Sequence, residues 1–167
     1  MKFKKDKMKE LIHYIINKCD CKNNVGKTVL YKLMYFSDFD FFELNEKSIT
    51  GETYIRYPNG PVPEHFEQIK NQLILEKKIA EEETPMFTGA KYNRYKYSSL
   101  SSPTINSLDK SEVKIIDSVI KKLSHMTGSQ ISEYSHFDMP WRAAKDYEPL
   151  IYEFVFYRND PYSVREK

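Results

Sequence analysis

The chain has 167 residues, 40% of them apolar and 14% aromatic, and its 26 basic and 24 acidic residues leave a net charge of +2. This composition excludes an intrinsically disordered chain, and the length fits one domain spanning residues 1–167. The balanced charge also excludes the strong overall positive potential that drives non-specific nucleic-acid binding.

The cysteines and the hydropathy limit the possible environments. Cys19 and Cys21 form a C-x-C pair, which matches neither redox nor zinc-binding spacing, so we predict no metal and no cofactor. The sequence has no run of about 18 apolar residues and no signal-peptide pattern. We therefore expect a cytoplasmic protein with reduced thiols and no membrane partner.

The first part of the chain predicts two helices. Lysines crowd the first nine residues, which we interpret as a solvated end rather than a phosphate-binding arm. Apolar residues recur at helical spacing from Met8 to Cys19, and the stretch KTVLYKLMYFSDFDFFELN carries them on more than one face, as a central helix would. Within this second helix, we expect Asp38 and Asp40 to lie at an exposed edge.

The middle of the chain changes character. Residues 48–62 are rich in β-branched and aromatic side chains and end in PNGPVP, which predicts a strand leading into a turn. Pro63 is then expected to open the helix HFEQIKNQLILEKKI. The stretches IAEEETPMF and AKYNRYKYS, joined around Gly89, predict a β-hairpin.

The last third reads as further helices. A polar linker precedes Asp109, which heads a helix with a regular apolar stripe, and a short helix is predicted around QISEYSHF. Asp138 is predicted to cap a segment with Pro140 in its first turn, and LIYEFVFY is predicted as either a strand or a final helix. The predicted fold class is α+β, a predominantly helical single domain with a small antiparallel sheet or hairpin.

Motifs for catalysis or metal binding are missing from the sequence. The four histidines have no metal-ligand spacing, and there is no G-x-S-x-G, Walker or dinucleotide-binding motif, so we predict that the protein is not an enzyme. A hydrolytic site using His136 and Asp138 is kept as a further hypothesis.

The predicted hairpin supports an alternative function. Arg94 and Lys96 alternate with Tyr95 and Tyr97, so the cations and the aromatic rings should lie on opposite faces of a strand. Residues 91–97 with the basic N-terminus could therefore serve a small nucleic-acid-binding regulator. The balanced net charge makes nucleic acid the less favoured partner.

The PNGPVP stretch is the most distinctive segment. Its prolines restrict the backbone and Gly60 supplies the freedom that a tight turn needs. A stiff loop loses little entropy on docking, and Tyr and Arg are enriched at interface hot spots. The candidate partner contacts are therefore Tyr54, Arg56, Tyr57 and Asn59. A turn that only aims the following helix remains the other interpretation.

Two stretches together resemble a known family. KLMYFSDFDFFELNEKSITGETYIRYPNGPVPEHFEQIK is similar to the Panacea domain of SocA-like antitoxins, in which a K-L-x-Y-x-x-D helix is followed by an extended segment and a G-P-V turn. SEYSHFDMPWRAAKD resembles the family's late segment, where a helix leads to a proline and a tryptophan. The resemblance extends from Lys32 to about Asp146.

The resemblance implies an antitoxin that binds and neutralises a protein toxin encoded by a neighbouring gene. SocA-like members act as adaptors that deliver a toxin to a ClpXP-type protease, and prophage location is frequent in the family. Gly60, Pro61 and Val62 match the family's turn, and Pro140 and Trp141 its late motif. We expect these five residues to be architectural, and the resemblance implies no catalytic residue.

Overall fold

A computed structural model describes residues 1–20 and 22–166 of the chain. Its helices are α1 (Lys5–Cys19), α2 (Lys27–Asn45), α3 (Phe66–Leu75), α4 (Lys110–Leu123), α5 (Gly128–His136), α6 (Met139–Ala143) and a 3₁₀ helix (Tyr152–Tyr157). Its strands are β1 (Tyr54–Tyr57), β2 (Gly60–Pro63), β3 (Ile79–Pro85) and β4 (Asn93–Ser99), in two antiparallel pairs. The predicted α+β class, mainly helical with a small antiparallel sheet, is confirmed.

Helix α2 forms the centre of the fold. Every residue from Lys32 to Glu43 is buried, because α1, α4, α5, β2 and the 3₁₀ helix pack around this helix. The prediction of a central helix is confirmed, with the bounds that its apolar pattern indicated. The expectation of an exposed edge at Asp38 and Asp40 is wrong, because the helix has neighbours on all sides there and both carboxylates are buried.

The PNGPVP stretch is a hairpin rather than a turn into a helix. Strands β1 and β2 pair with Tyr57 opposite Gly60, which leaves a two-residue loop of Pro58 and Asn59. The prediction that Pro63 opens a helix is wrong, because Pro63 ends β2 opposite Tyr54 and α3 starts only at Phe66. Edge strands tolerate proline, since their outer N–H groups have no ladder partner to lose.

A distant segment pairs with the free edge of β1. The amide of Arg56 donates to the carbonyl of Glu148 (3.0 Å), and the amide of Leu150 donates to the carbonyl of Tyr54 (2.8 Å). β1 therefore lies between β2 and residues 147–150. The chain then turns into the 3₁₀ helix, so of the two predictions for LIYEFVFY the helical one is correct.

The second hairpin matches its prediction. β3 and β4 pair from Ile79 opposite Ser99 to Pro85 opposite Asn93, and Gly89 lies in the connection. The cations of β4 are exposed and its tyrosines turn toward the body of the protein, so the predicted alternation is also confirmed.

Helix caps fix where the last helices begin. Asp109 accepts from the amide of Glu112 and Glu112 accepts from the amide of Asp109, both at 2.9 Å, which closes a capping box at the start of α4. Asp138 caps α6 as predicted, accepting from the amide of Met139 at 2.9 Å. Within residues 1–20 and 22–166, no helix is both long enough and apolar enough to cross a membrane.

Candidate partner-binding surface

Two buried polar side chains connect α2 to neighbouring elements. The Lys32 ammonium donates to the carbonyl of Pro61 in β2 at 3.3 Å. The Tyr35 hydroxyl donates to Asp138, at the start of α6, at 2.8 Å. Helix α2 thereby holds both the β1–β2 hairpin and the start of α6 in place.

Asp38, the next polar residue on this side of α2, organises the segment before β1. Its carboxylate accepts from the amide and the hydroxyl of Thr50, at 2.8 and 2.5 Å, and from the hydroxyl of Tyr54 at 2.7 Å. Burial raises the pKa of Asp38 to about 6, although these hydrogen bonds oppose the rise. Tyr54 is fully buried in this network, so we remove it from the candidate partner contacts.

Arg158 completes a larger charged cluster. Its buried guanidinium donates to both oxygens of Asp138, at 2.8 and 2.6 Å, and to Asp40 and Glu43, each at 2.9 Å. Arg165 adds a second cation, 3.1 Å from Glu43. Burial raises the pKa of Asp40 to about 6 against the opposing effect of Arg158. The cluster joins α2, α6 and the 3₁₀ helix through hydrogen-bonded ion pairs.

The hypothesis of a hydrolytic pair requires an accessible carboxylate, which Asp138 does not provide. Asp138 is fully buried, and its oxygens accept from Tyr35 and Arg158. The His136 ring instead stacks on Trp141, with 4.3 Å between ring centroids. Among the described residues, no group of His, Cys, Asp or Glu side chains could hold a metal ion, and Cys21 lies outside them.

Gly60 lies where the hairpin meets α2 and α5. Its φ of +101° belongs to the region that favours glycine, and a Cβ there would lie 2.3 Å from Ser135 Oγ and 2.5 Å from Lys32 Cε. Pro61 beside it is buried, and Val62 is half-buried. The hairpin can approach α2 this closely only because Gly60 has no side chain.

The Lys32 ammonium is almost fully buried, and its one hydrogen bond in the described part of the chain is long. Burial lowers the pKa of Lys32 to about 7. Between pH 7 and about 10.4, the usual pKa of lysine, the unfolded chain binds a proton that the folded chain releases. The free energy of unfolding should therefore rise with pH in this range because of Lys32.

We expect Lys32→Met to remove that pH dependence. The difference in unfolding free energy between wild type and variant should change by up to about 1.4 kcal/mol per pH unit between about pH 8 and 9.5, and by about half as much at pH 7. The free energy of unfolding of the variant should exceed that of wild type by most near pH 7, where folded wild type holds the charge of Lys32 in the core. Urea unfolding from pH 7 to 9.5 measures this difference, and parallel curves for the two proteins would contradict it.

Arg56 joins the hairpin to α6. Its guanidinium lies 3.7 Å from the ring centre of Trp141, and its Nη1 donates to the carbonyls of Trp141 (2.9 Å) and Ala144 (2.6 Å). Its Nε also lies 3.3 Å from Asp146. The Trp141 indole donates to the carbonyl of Tyr57 at 3.4 Å, and Pro140 beside it is buried. The Arg56 side chain is thus engaged within the protein, and we remove it from the candidate contacts.

The remaining two candidates lie at the outer end of the hairpin. Tyr57 is 43% exposed and packs edge to face against Tyr147, itself 63% exposed, with 5.4 Å between centroids. Asn59 and Pro58 form the exposed loop, and neither side chain makes a hydrogen bond within residues 1–20 and 22–166. Tyr57, Pro58, Asn59 and Tyr147 form a surface, here named the hairpin-tip surface. The contacts of Arg56 and Gly60 hold the backbone beneath it in place.

In the alternative nucleic-acid surface, residues 91–97, the two tyrosines of β4 are covered to different extents by the body of the protein. Tyr97 is buried, and the Lys27 ammonium lies 3.8 Å from the ring centre of Tyr95. Arg94 and Lys96 face solvent, and the most exposed aromatic ring of residues 91–97 is that of Tyr92, 76% accessible, two positions before Arg94. The geometry therefore favours a structural role for the tyrosines of this strand.

The sequence analysis missed five charged residues of the buried networks: Lys32, Asp38, Asp40, Glu43 and Arg158. One signal was available for the four that lie on α2. Charged residues inside an otherwise apolar helix are rarely buried unless they are paired, so they could have prompted a search for partners. Nothing local to Arg158 indicates that it provides the countercharge.

Polar contacts between α2 and the β1–β2 hairpin fix the interior of the protein. The result is a small scaffold that carries an exposed, stiff loop. The sequence profile described as "Antitoxin SocA-like, Panacea domain" matches residues 30–142, more than half of the chain. The chain therefore belongs to the Panacea domain family of SocA-like antitoxins. No curated protein and no solved structure matches it.

The matched range contains most of these networks. It includes Lys32, Tyr35 and Asp38 of the K-L-x-Y-x-x-D helix, together with their partners in the hairpin and at Asp138. Helix α1 and Arg158 lie outside it. In this chain, the family's motif residues face inward and connect the elements.

Proposed function

We propose that this chain is the antitoxin of a toxin–antitoxin pair and neutralises its toxin by direct protein–protein contact. The observation that carries the proposal is the match to the SocA-like Panacea family over residues 30–142. The proposed role needs a folded scaffold and a complementary patch, and no reaction. The partner is a protein toxin encoded by the neighbouring gene, and the whole chain acts as one domain.

We place the toxin contact at the hairpin-tip surface. Tyr57 and Asn59 are exposed there, and tyrosine is among the side chains that contribute most to protein interfaces. The backbone beneath them is fixed by the contacts of Arg56 and Gly60, so little entropy is lost on docking. Gly60, Pro61, Val62, Pro140 and Trp141 are proposed as the architectural residues that hold this surface.

Neutralisation can follow from masking the toxin or from its delivery to a ClpXP-type protease. Both routes begin with the same complex, and the level of toxin in the cell separates them. If delivery operates, the toxin's half-life should shorten when this chain is expressed and recover in cells lacking the protease. If masking alone operates, the toxin persists as an inactive complex in both strains.

We expect Tyr57→Ala and Asn59→Arg each to weaken toxin binding by about 30-fold or more, the effect of losing a hot-spot contact of about 2 kcal/mol. Neither side chain is needed for the core, so the midpoint of thermal unfolding should change little. The measurement is titration calorimetry with the product of the adjacent gene, together with rescue of growth on co-expression.

Tyr92→Ala provides the matched control, because Tyr92 is also an exposed tyrosine, 76% accessible to solvent, and lies at the end of the other hairpin. It should bind the toxin as wild type does. If both hairpin-tip variants bind the toxin with wild-type affinity, the toxin contact does not lie at the hairpin-tip surface. An adjacent gene product that is harmless alone and forms no complex would overturn the proposed function itself.

A further inference from the structure

A second surface lies along α4. The outer face of this helix and the loop before it line an open groove of about 800 Å³. Ile105, Leu108 and Val113 supply its apolar floor, and Ile105 remains 40% exposed. None of the groove's lining residues belongs to the hairpin-tip surface.

The rim of this groove carries cations without partners. Lys110, Lys114 and Lys121 line it, and none of their ammonium groups makes an ion pair or hydrogen bond within residues 1–20 and 22–166. The two carboxylates of the groove are engaged in the fold. Asp109 caps α4, and Asp117 accepts from the hydroxyl of Tyr14 at 2.5 Å. Neutral amide and hydroxyl donors do not cancel the charge of a carboxylate, so the lining holds three cations and two anions, a net charge of +1. The three ammonium groups are the charges that remain free to pair with an acidic ligand beside the apolar floor.

The spacing of the lysines defines the length of the site. Lys110 and Lys121 are eleven positions apart on one helix, a distance of about 16 Å along its axis. A helical segment of similar length could place apolar side chains on the floor while its carboxylates reach the rim. A bare anion would use the rim and leave the floor exposed to water.

We propose that the α4 groove binds an acidic amphipathic segment of a partner polypeptide. Its leucine-like side chains lie on Ile105, Leu108 and Val113, and its carboxylates pair with Lys110, Lys114 and Lys121. Charge complementarity sets the orientation, and apolar burial supplies the affinity. This site is additional to the toxin contact and does not depend on it.

Fluorescence anisotropy with the full chain tests the proposal. The probe is a fluorescein-labelled 18-residue peptide with leucine at helical spacing and glutamate elsewhere. Three comparison probes replace leucine by serine, replace glutamate by lysine, or substitute a single-stranded oligonucleotide for the peptide. We expect that only the leucine–glutamate peptide binds saturably, and that added salt weakens this binding.

Two variants locate the binding. Lys110→Glu combined with Lys114→Glu should weaken peptide binding about tenfold or more, and an acidic residue at position 110, in the first turn of α4, suits the helix dipole. Ile105→Ser should also weaken it several-fold, since it removes an exposed part of the floor. Lys47→Glu combined with Lys77→Glu matches the charge change of the double variant, and Leu75→Ser matches Ile105→Ser, because these three residues are exposed elsewhere. Circular dichroism checks that each variant folds.

Three outcomes would overturn the proposal. The first is no saturable binding of the leucine–glutamate peptide. The second is equal binding of the serine peptide or preferential binding of the oligonucleotide, which would make the groove a general anion or nucleic-acid surface. The third is equal weakening by the groove variants and their controls. Because no toxin is used, none of these results bears on the hairpin-tip surface.

Discussion

Arg158→Met is expected to lower the free energy of unfolding by about 3–5 kcal/mol, the loss typical of removing one partner from a buried ion pair. The Arg158 guanidinium is the countercharge for Asp138, Asp40 and Glu43, all buried. Methionine has a similar length and no charge, so its effect reports mainly on the carboxylates left behind. Urea denaturation at pH 7 measures the loss.

The pH dependence gives this experiment an internal check. The pKa of Asp40 is already raised to about 6, and removing Arg158 should raise it further. Folded Arg158→Met should therefore bind a proton at Asp40 at a higher pH than folded wild type does, so its deficit relative to wild type should shrink between pH 7 and pH 5. Arg142→Met is the matched control at an exposed arginine and should cost less than about 0.5 kcal/mol. A loss below 1 kcal/mol for Arg158→Met would contradict the central role of the cluster.

Gly60→Ala should produce the second large loss, about 3 kcal/mol or more. The substitution carries the cost of a positive φ for a residue with a Cβ, about 1–2 kcal/mol, and adds a steric conflict. The new methyl group would lie 2.3 Å from Ser135 Oγ and 2.5 Å from Lys32 Cε. Thermal and urea unfolding both detect a change of this size.

Gly89→Ala separates the two contributions to that loss. Gly89 also has a positive φ, +82°, but a Cβ there would meet nothing within 4 Å. This variant should lose only the cost of the backbone conformation. If Gly60→Ala and Gly89→Ala destabilise equally, the close approach of the hairpin to α2 contributes nothing, and the structural role assigned to Gly60 fails.

Local patterns predicted the elements well where one physical rule governs them. The bounds of α2 follow from a continuous apolar run, and Asp109 and Asp138 start helices because their side chains satisfy free amides. Strand β2 was missed because prolines at positions 61 and 63 suggest a turn. Its pairing with β1 is tolerated at an edge, which the sequence does not reveal.

The interior of the candidate site could be predicted less well. Asp40 bonds to Arg158, 118 positions away, and no local pattern indicates such a partner. The contact candidates illustrate the same limit. Tyr54 and Arg56 belong to the same motif as Tyr57, yet one is in the core and the other bridges to α6. Only the packing of β1 between β2 and residues 147–150 decides which side chains remain outside.

The inward orientation of the motif has an evolutionary consequence. Lys32, Tyr35 and Asp38 make all their hydrogen bonds beneath the surface, whereas the side chains of Pro58 and Asn59 make none in the described part of the chain. Substitutions at the tip can therefore accumulate with little loss of foldedness. If the toxin contact proposed above lies at the hairpin tip, a few changes in this one short loop would retarget the scaffold to a different toxin.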